Sequence, residues 1–158
     1  MADANSPISV EPVPEVLANS AGFLLNRATR IIREMNEHVL SVLQLSPREL
    51  GILRIIDSEG PLTQQALGKK HSVDRSTVVQ IIDDLEQRQL VTRVANKVDR
   101  RSNLLYLTKR GQKTLSQAVR LIENQQKVFL EPIEDAEWEL LRVCLIKLIN
   151  AHRGGEPN

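Results

Sequence analysis

Apolar residues recur at helical spacing along most of the chain. From residue 17 to about residue 43 they step by three and four positions, which predicts one long helix with a continuous apolar stripe. The same period returns in residues 108–130 and 135–151 and predicts two further long helices. Only two short runs, residues 91–94 and 104–107, are strand-like. The pattern therefore predicts a mainly α chain with a small β-hairpin.

Shorter helices between these elements are marked by their start signals. Ser46 and Glu49 form a capping box around Pro47, and Gly60 can end the helix that begins there. Thr63 caps a second short helix, which runs to about residue 70. Asp74 opens a longer amphipathic helix, which runs to about residue 89.

The last two of these helices and the strand-like runs form one consecutive motif. A turn at residues 71–73 separates the helices, and a charged loop at residues 96–102 joins the two strand-like runs. This order is that of a winged helix-turn-helix, whose second helix enters a DNA major groove.

Positive charge is concentrated on the hairpin. The chain has a net charge of only +1, yet residues 93–110 contain six basic residues against the single acid Asp99. A local surplus of this kind favours phosphate as the counter-charge. The six are Arg93, Lys97, Arg100, Arg101, Lys109 and Arg110.

The motif resembles the MarR family of bacterial transcription regulators (multiple antibiotic resistance regulators). The resemblance is carried by PLTQ at 61–64, STV at 76–78, IDDLE at 82–86, DRR at 99–101 and the Leu107, Thr108 and Gly111 that follow, and it extends over about residues 17–152. It implies a winged helix-turn-helix joined to a helical dimerisation region, with the first and last helices of two chains interleaved. Gln89 stands where the family usually has glycine, so either it adopts a left-handed conformation or the helix ends differently.

These observations predict a division of the chain into regions. Residues 1–16 contain three prolines and three acids and are expected to be a disordered or extended arm. Residues 17–45 and 112–152 would form the helical dimerisation region. Residues 46–111 would form the winged helix-turn-helix DNA-binding lobe, and residues 153–158 a tail.

Candidate DNA contacts lie at both ends of the first helix of the motif, on its second helix and at the wing. Arg75 and Gln80 can pair with guanine and adenine edges. Arg100 or Arg101 would enter a narrow minor groove, with Asp99 orienting one of them. Some of the set have a plainer alternative, since a threonine can cap a helix and lysines can lie at an exposed helix end. The full set is Thr63, Gln64, Lys69, Lys70, Arg75, Ser76, Thr77, Val79, Gln80, Lys97, Asp99, Arg100 and Arg101.

The resemblance also implies a small-molecule effector, often a phenolic acid, in a crevice between the dimer helices and the DNA-binding lobe. Arg27, Arg30 and His38 on the first helix are candidates for holding a small organic acid. Aromatic residues make up only 3% of the chain, which argues against a stacked aromatic ligand.

Other chemistries find little support. The three histidines have no partner at metal-ligand spacing, and Asp83 and Asp84 are adjacent and so point apart on a helix. Cys144 is predicted to be a buried structural thiol. We therefore expect no metal, no cofactor and no catalytic site.

Length and composition are those of one compact domain, with 158 residues, 41% hydrophobic and 26% charged. No apolar run approaches a membrane span, no signal sequence is evident, and a single cysteine fits the cytoplasm. The sequence predicts a homodimeric, ligand-responsive repressor that binds a pseudo-palindromic site in double-stranded DNA. The alternative is a winged-helix module that binds protein without binding DNA.

Overall fold

The computed structural model describes residues 11–71, 75–99 and 101–152. Within these ranges the chain is mostly helical, with one small antiparallel sheet, as the sequence predicts. The helices are α1 (Ala21–Ser41), α2 (Pro47–Glu59), α3 (Gln64–His71), α4 (Arg75–Gln87), α5 (Lys109–Leu130) and α6 (Asp135–Ala151). The strands are β1 (Leu62–Thr63), β2 (Val91–Ala95) and β3 (Asn103–Leu107).

The first long helix is shorter at both ends than its apolar stripe predicts. Residues Glu15–Leu17 form a separate 3-10 turn, and α1 begins only after Ser20, whose hydroxyl accepts a 3.4 Å hydrogen bond from the Phe23 N–H. An N-cap serine in extended conformation competes with continuation of the helix, and the apolar period does not register this. Of the predicted arm, residues 1–10 lie outside the described residues, as does the predicted tail.

The predicted caps of α2 and α5 are confirmed. Glu49 N–H donates to Ser46 Oγ at 3.2 Å, and Ser46 N–H donates to Glu49 Oε2 at 2.6 Å, which completes the capping box. Gly60 follows α2 with a positive φ of 73°. Thr108 caps α5 by accepting a 3.0 Å hydrogen bond from the Gly111 N–H.

The sheet has three strands in the order β1-β3-β2, whereas the sequence predicts only the hairpin. Strands β2 and β3 pair from Val91 opposite Leu107 to Ala95 opposite Asn103, each one residue longer than predicted. The missed strand, β1, pairs Leu62 with Leu105. Two residues are too few to show a two-residue period, so only the fold reveals this strand.

The core lies among α2, α3, α4 and the sheet and at their junction with α1 and α5. Its fully buried members come from nearly every element there and include Leu40, Ile52, Leu53, Leu67, Ile82, Leu85, Leu105 and Ala118. Helix α6 contributes nothing to this core and has no buried residue. Leu141 and Leu148, which recur at helical spacing on α6, are 42% and 53% exposed. Cys144 is exposed as well, so the prediction of a buried thiol is wrong for the single chain.

Hydrogen bonds and a close backbone contact connect the end of α4 to the start of α5. Gln89 adopts φ +59°, which decides between the two alternatives in favour of the left-handed conformation, and α4 ends at Gln87. Thr108 Oγ1 donates to the Gln89 carbonyl oxygen at 2.6 Å, and Thr108 N–H donates to the Leu90 carbonyl oxygen at 3.1 Å. The backbone of Gly111 packs directly against the same Leu90 carbonyl group.

Candidate nucleic-acid interface

Helix α4 has one buried face and one exposed face. Val78, Ile82 and Leu85 are buried and hold the helix on the core. Val79 and Gln80 are exposed on the other side, as a reading helix requires, and Ser76 is exposed near the N-terminus. The predicted opening at Asp74 and the preceding turn at Ser72 and Val73 lie outside the described residues.

Several predicted contacts lie at the two ends of α3 and at the start of α4. Thr63 Oγ1 accepts a 3.2 Å hydrogen bond from the Ala66 N–H, so this hydroxyl caps α3. Gln64 follows it, and its Nε2 is buried with no hydrogen-bond partner in the described structure. Lys69, Lys70 and Arg75 belong to α3 and α4, but their side chains are outside the description.

The tip of the wing is closed by short-range hydrogen bonds. Asn96 N–H donates to the Ser102 carbonyl at 3.1 Å, and Ser102 N–H donates to the Asp99 carbonyl at 3.0 Å. The carboxylate of Asp99 accepts a 3.0 Å hydrogen bond from the backbone N–H of Arg101. Lys97 and Arg101 are exposed at this tip. Asp99 thus fixes the backbone that carries Arg101, and the described residues contain no ion pair between the two side chains.

Arg100, which the sequence also assigns to the tip, lies outside the described residues. Its predicted pairing with Asp99 therefore stays a prediction.

Arg93 does not add free positive charge to the wing. Its guanidinium donates to Asp83 Oδ1 at 2.5 Å and to the carboxylate of Glu86, and its backbone N–H donates to Glu86 Oε1 at 3.1 Å. Burial alone would lower the pKa of Arg93, but the hydrogen bonds to Asp83 and Glu86 outweigh it and raise that pKa. Counting charges in residues 93–110 therefore overstates the patch. Both acids precede that stretch, and only their three-residue spacing on α4 hinted at a shared partner.

Arg88, which immediately follows α4, was not singled out from the sequence. Its guanidinium donates to Glu49 at 2.6 Å, to Asp84 at 2.8 Å and to the carbonyl oxygen of Gln44 at 2.5 Å. Asp84 is at the i,i+4 spacing of a local helical pair, but Glu49 and Gln44 are 39 and 44 residues away, so no local pattern could have indicated these two partners.

The structure does not bring the effector candidates of α1 together into a pocket. The guanidinium of Arg27 stands 5.8 Å from the Phe23 ring centroid and donates to the Glu11 carbonyl. Arg30 lies 3.9 Å from Glu34, and both side chains are about half exposed or more. His38 is exposed too.

Two open grooves lie elsewhere in the described chain. The larger, of about 780 Å³, runs between α2 and α5, and its polar lining is Arg54, Asp57, Ser58, Gln112, Ser116, Arg120 and Glu123. The other, of about 660 Å³, lies between α1, α2 and α4 and includes Arg33, Arg48, Thr77, Gln80 and Asp84. None of Arg27, Arg30 and His38 lines either groove.

The part of the chain that the structure describes was also searched for metal and membrane features. It contains no group of three or more His, Cys, Asp or Glu side chains placed to hold a metal ion. No helix in it is both long enough and apolar enough to cross a lipid bilayer.

Known proteins resemble this chain in both fold and sequence. The family model described as MarR family matches residues 45–102. A putative transcriptional regulatory protein for the hcr operon of Thauera aromatica is 30% identical over 135 residues, covering 85% of this chain and 81% of that protein. The transcriptional repressor CouR, solved bound to a 23-mer DNA duplex, is 26% identical with a TM-score of 0.80, covering 89% of this chain and 99% of the other.

A regulator whose structure was solved with a bound ligand matches this chain in fold. The PcaV transcriptional regulator of Streptomyces coelicolor, solved with its natural ligand, is 23% identical with a TM-score of 0.71, covering 90% of this chain and 99% of that one. Together with the exposed face of α4 and the wing beside it, these similarities establish the family. The chain belongs to the MarR family and is a DNA-binding transcriptional regulator with a winged helix-turn-helix.

Proposed function

We propose that the chain acts in the cytoplasm as a homodimeric repressor, released from its operator by a small organic anion. The observation that carries the DNA-binding part is the placement of α4. One face is buried in the core, and the opposite face, with Val79 and Gln80, is exposed beside a wing tip that presents Lys97 and Arg101. This is the arrangement needed to read a major groove and hold the adjacent backbone at the same time.

The recognition helix and the wing have different tasks in this proposal. Gln80 reads a base edge, so Gln80→Ala should cost about 1–3 kcal/mol on the operator and relax the preference at one position. Arg101 contacts phosphate or the minor groove, so Arg101→Gln should weaken binding to every duplex and reduce the salt slope by about one unit. A duplex selected by the wild-type protein from a random pool and a scrambled duplex of equal length are the probes. Equal losses on both duplexes for Gln80→Ala would contradict base reading.

Dimerisation is supported by the apolar surface of the last helix. In the single chain Leu140, Leu148 and Ile149 of α6 are 66%, 53% and 61% exposed, and α6 buries none of its residues. Soluble proteins rarely leave such a continuous apolar patch in water, and a second copy of the same helix would cover it. Sedimentation at micromolar concentration should give a dimer, and Ile149→Glu should shift it towards monomer while the apolar Ile149→Leu does not. A monomeric wild type would refute this part alone.

The effector part rests on the groove between α2 and α5. Arg54 and Arg120 line it together with the acids Asp57 and Glu123, and the described residues contain no ion pair between these arginines and acids. Two guanidinium groups beside hydroxyl and amide groups suit a carboxylate. That PcaV has been solved with a natural ligand supports ligand response in this fold.

Benzoate and the neutral benzamide test the groove. Benzoate should release the protein from its selected duplex, benzamide should not, and Arg120→Gln should abolish the response. Arg30→Gln on α1 is the matched control. If Arg30→Gln abolishes the response and Arg120→Gln does not, the acid binds on α1 as the sequence suggests. No response of the wild type to benzoate would contradict a site for this carboxylate in the groove.

A further inference from the structure

One guanidinium group, that of Arg88, connects the end of α4 to the start of α2 and to the turn before α2. The Nη1 atom of Arg88 donates to Glu49 Oε1 at 2.6 Å and to Asp84 Oδ2 at 2.8 Å, and Nη2 donates to the Gln44 carbonyl oxygen at 2.5 Å. The Arg88 side chain is 23% exposed and that of Glu49 only 14%. The bond to Glu49 is thus largely shielded from water, and a shielded charge-assisted bond is stronger than one at an open surface, whereas the Asp84 side chain is 52% exposed.

The partners of Arg88 lie where the dimerisation helix meets the DNA-binding lobe. Gln44 stands in the turn between α1 and α2 and has a positive φ of 53°. Glu49 is the acidic member of the capping box that starts α2, so its two oxygens divide between the Ser46 N–H and Arg88. Arg88 itself directly follows α4, and its N–H donates to the Asp84 carbonyl oxygen at 2.9 Å. The end of the recognition helix is therefore tied to the turn through which α1 enters the lobe.

We infer that Arg88 is a positioning residue for operator recognition, which sets the orientation of α4 relative to α1. In a dimer held through its long helices, that orientation fixes the separation and tilt of the two recognition helices. A planar guanidinium holds three acceptors in fixed directions, and a lysine ammonium does not. The inference rests on the proposed homodimer and needs no contact between Arg88 and DNA.

The test compares charge-preserving and charge-changing variants on two DNA probes. Arg88→Lys keeps the positive charge but loses the fork, and its ratio of affinities for the selected and scrambled duplexes should fall about tenfold, roughly the cost of one mismatched base pair. Binding to the scrambled duplex should stay within about twofold, because it depends on charge alone. The variant should also discriminate less against a selected duplex with one base pair inserted between its half-sites. Arg142→Lys, once sedimentation shows that it is still a dimer, is the matched control, because Arg142 forms a similar two-oxygen pair with Glu139 within the single helix α6.

Glu49→Gln gives a second test, in which one negative charge is removed. Glutamine can keep the capping box, and loss of a negative charge should tighten binding to any duplex. The inference instead expects a lower ratio of selected to scrambled affinity. Thermal melting must show both variants folded at the assay temperature. Unchanged ratios with unchanged spacing preference in folded Arg88→Lys and Glu49→Gln would overturn the inference.

The same data separate this inference from the proposals on which it rests. A wild-type protein that selects no sequence would contradict specific recognition itself, and the inference with it. A wild type that sediments as a monomer would remove the dimer. A dimeric, selective wild type whose Arg88→Lys variant behaves like Arg142→Lys would refute only the role of Arg88.

Discussion

Asp83 on the recognition helix accepts a 2.5 Å hydrogen bond from the guanidinium of Arg93 on the first wing strand. Glu86, one helical turn further on, binds both the side chain and the backbone N–H of Arg93. The recognition helix and the wing are therefore joined by ion pairs, in addition to their apolar packing. Because each subunit must present both elements to the same DNA segment, the relative position of the two matters for binding.

Removing Arg93 should affect geometry and local charge together, because Asp83 and Glu86 lose their counter-charge. We expect Arg93→Gln to lower the free energy of unfolding by about 1 kcal/mol, since the carboxylates are partly exposed and screened by solvent. Affinity for the selected duplex should fall, but the salt slope should stay unchanged because Arg93 is already neutralised. Filter binding at several salt concentrations measures both quantities. A slope reduced by a full unit would show instead that Arg93 contacts a phosphate.

The wing tip allows backbone fixation to be separated from charge at a single residue. Asp99→Ala removes the acceptor of the Arg101 N–H, and we expect affinity for every duplex to fall about three- to tenfold because the tip loosens. Asp99→Asn retains an acceptor oxygen and loses the negative charge, so it should bind at least as tightly as the wild type. Titrations at one salt concentration suffice. If Asp99→Ala binds more tightly, repulsion between Asp99 and DNA outweighs its role in the turn.

Gln89 carries a conformational cost that glycine would remove. At φ +59° a residue with a Cβ is strained, so Gln89→Gly should raise the free energy of unfolding by about 0.5–1 kcal/mol after the greater entropy of an unfolded glycine is subtracted. Gln89→Ala keeps the Cβ and should show no such gain. Urea unfolding of the three proteins measures the difference. A destabilised glycine variant would mean that the exposed Gln89 side chain contributes more than the strain costs.

Gly111 is required by close packing at the start of α5. A Cβ there would collide with the backbone carbonyl of Leu90, which the Thr108 N–H also holds in place. Gly111→Ala should therefore lower the free energy of unfolding by about 1–3 kcal/mol.

Gly22→Ala in α1 is the control for Gly111→Ala. No atom lies within 4 Å of a Cβ built there, and alanine favours a helix, so this variant should be stabilised by about 0.5 kcal/mol. Equal effects of the two substitutions in urea unfolding would contradict the packing argument.

Local signals in the sequence were sufficient for much of the fold. The capping box of Ser46 and Glu49 and the cap at Thr108 involve groups within three residues of each other, so residue type and spacing already specify them. The buried face of α4 follows from its apolar period for the same reason. The family was evident from one continuous stretch, because a helix-turn-helix and its wing are consecutive in the chain.

Tertiary structure alone decided the features that join distant segments. Arg88 and Glu49 are 39 residues apart, and Gly111 packs on Leu90 across the whole wing, so no periodicity or spacing could reveal either relationship. Composition treated Arg93 as free charge because it could not show that Asp83 and Glu86 face it. The position of Cys144 in the apolar last helix likewise predicted burial, although this thiol is exposed in the single chain. An apolar stripe identifies a face that is covered, but it does not show which surface covers it. The sequence by itself determined the helices, the hairpin, the caps of α2, α3 and α5 and the family, because these depend on neighbouring residues; strand β1, long-range pairing and packing had to come from the folded chain.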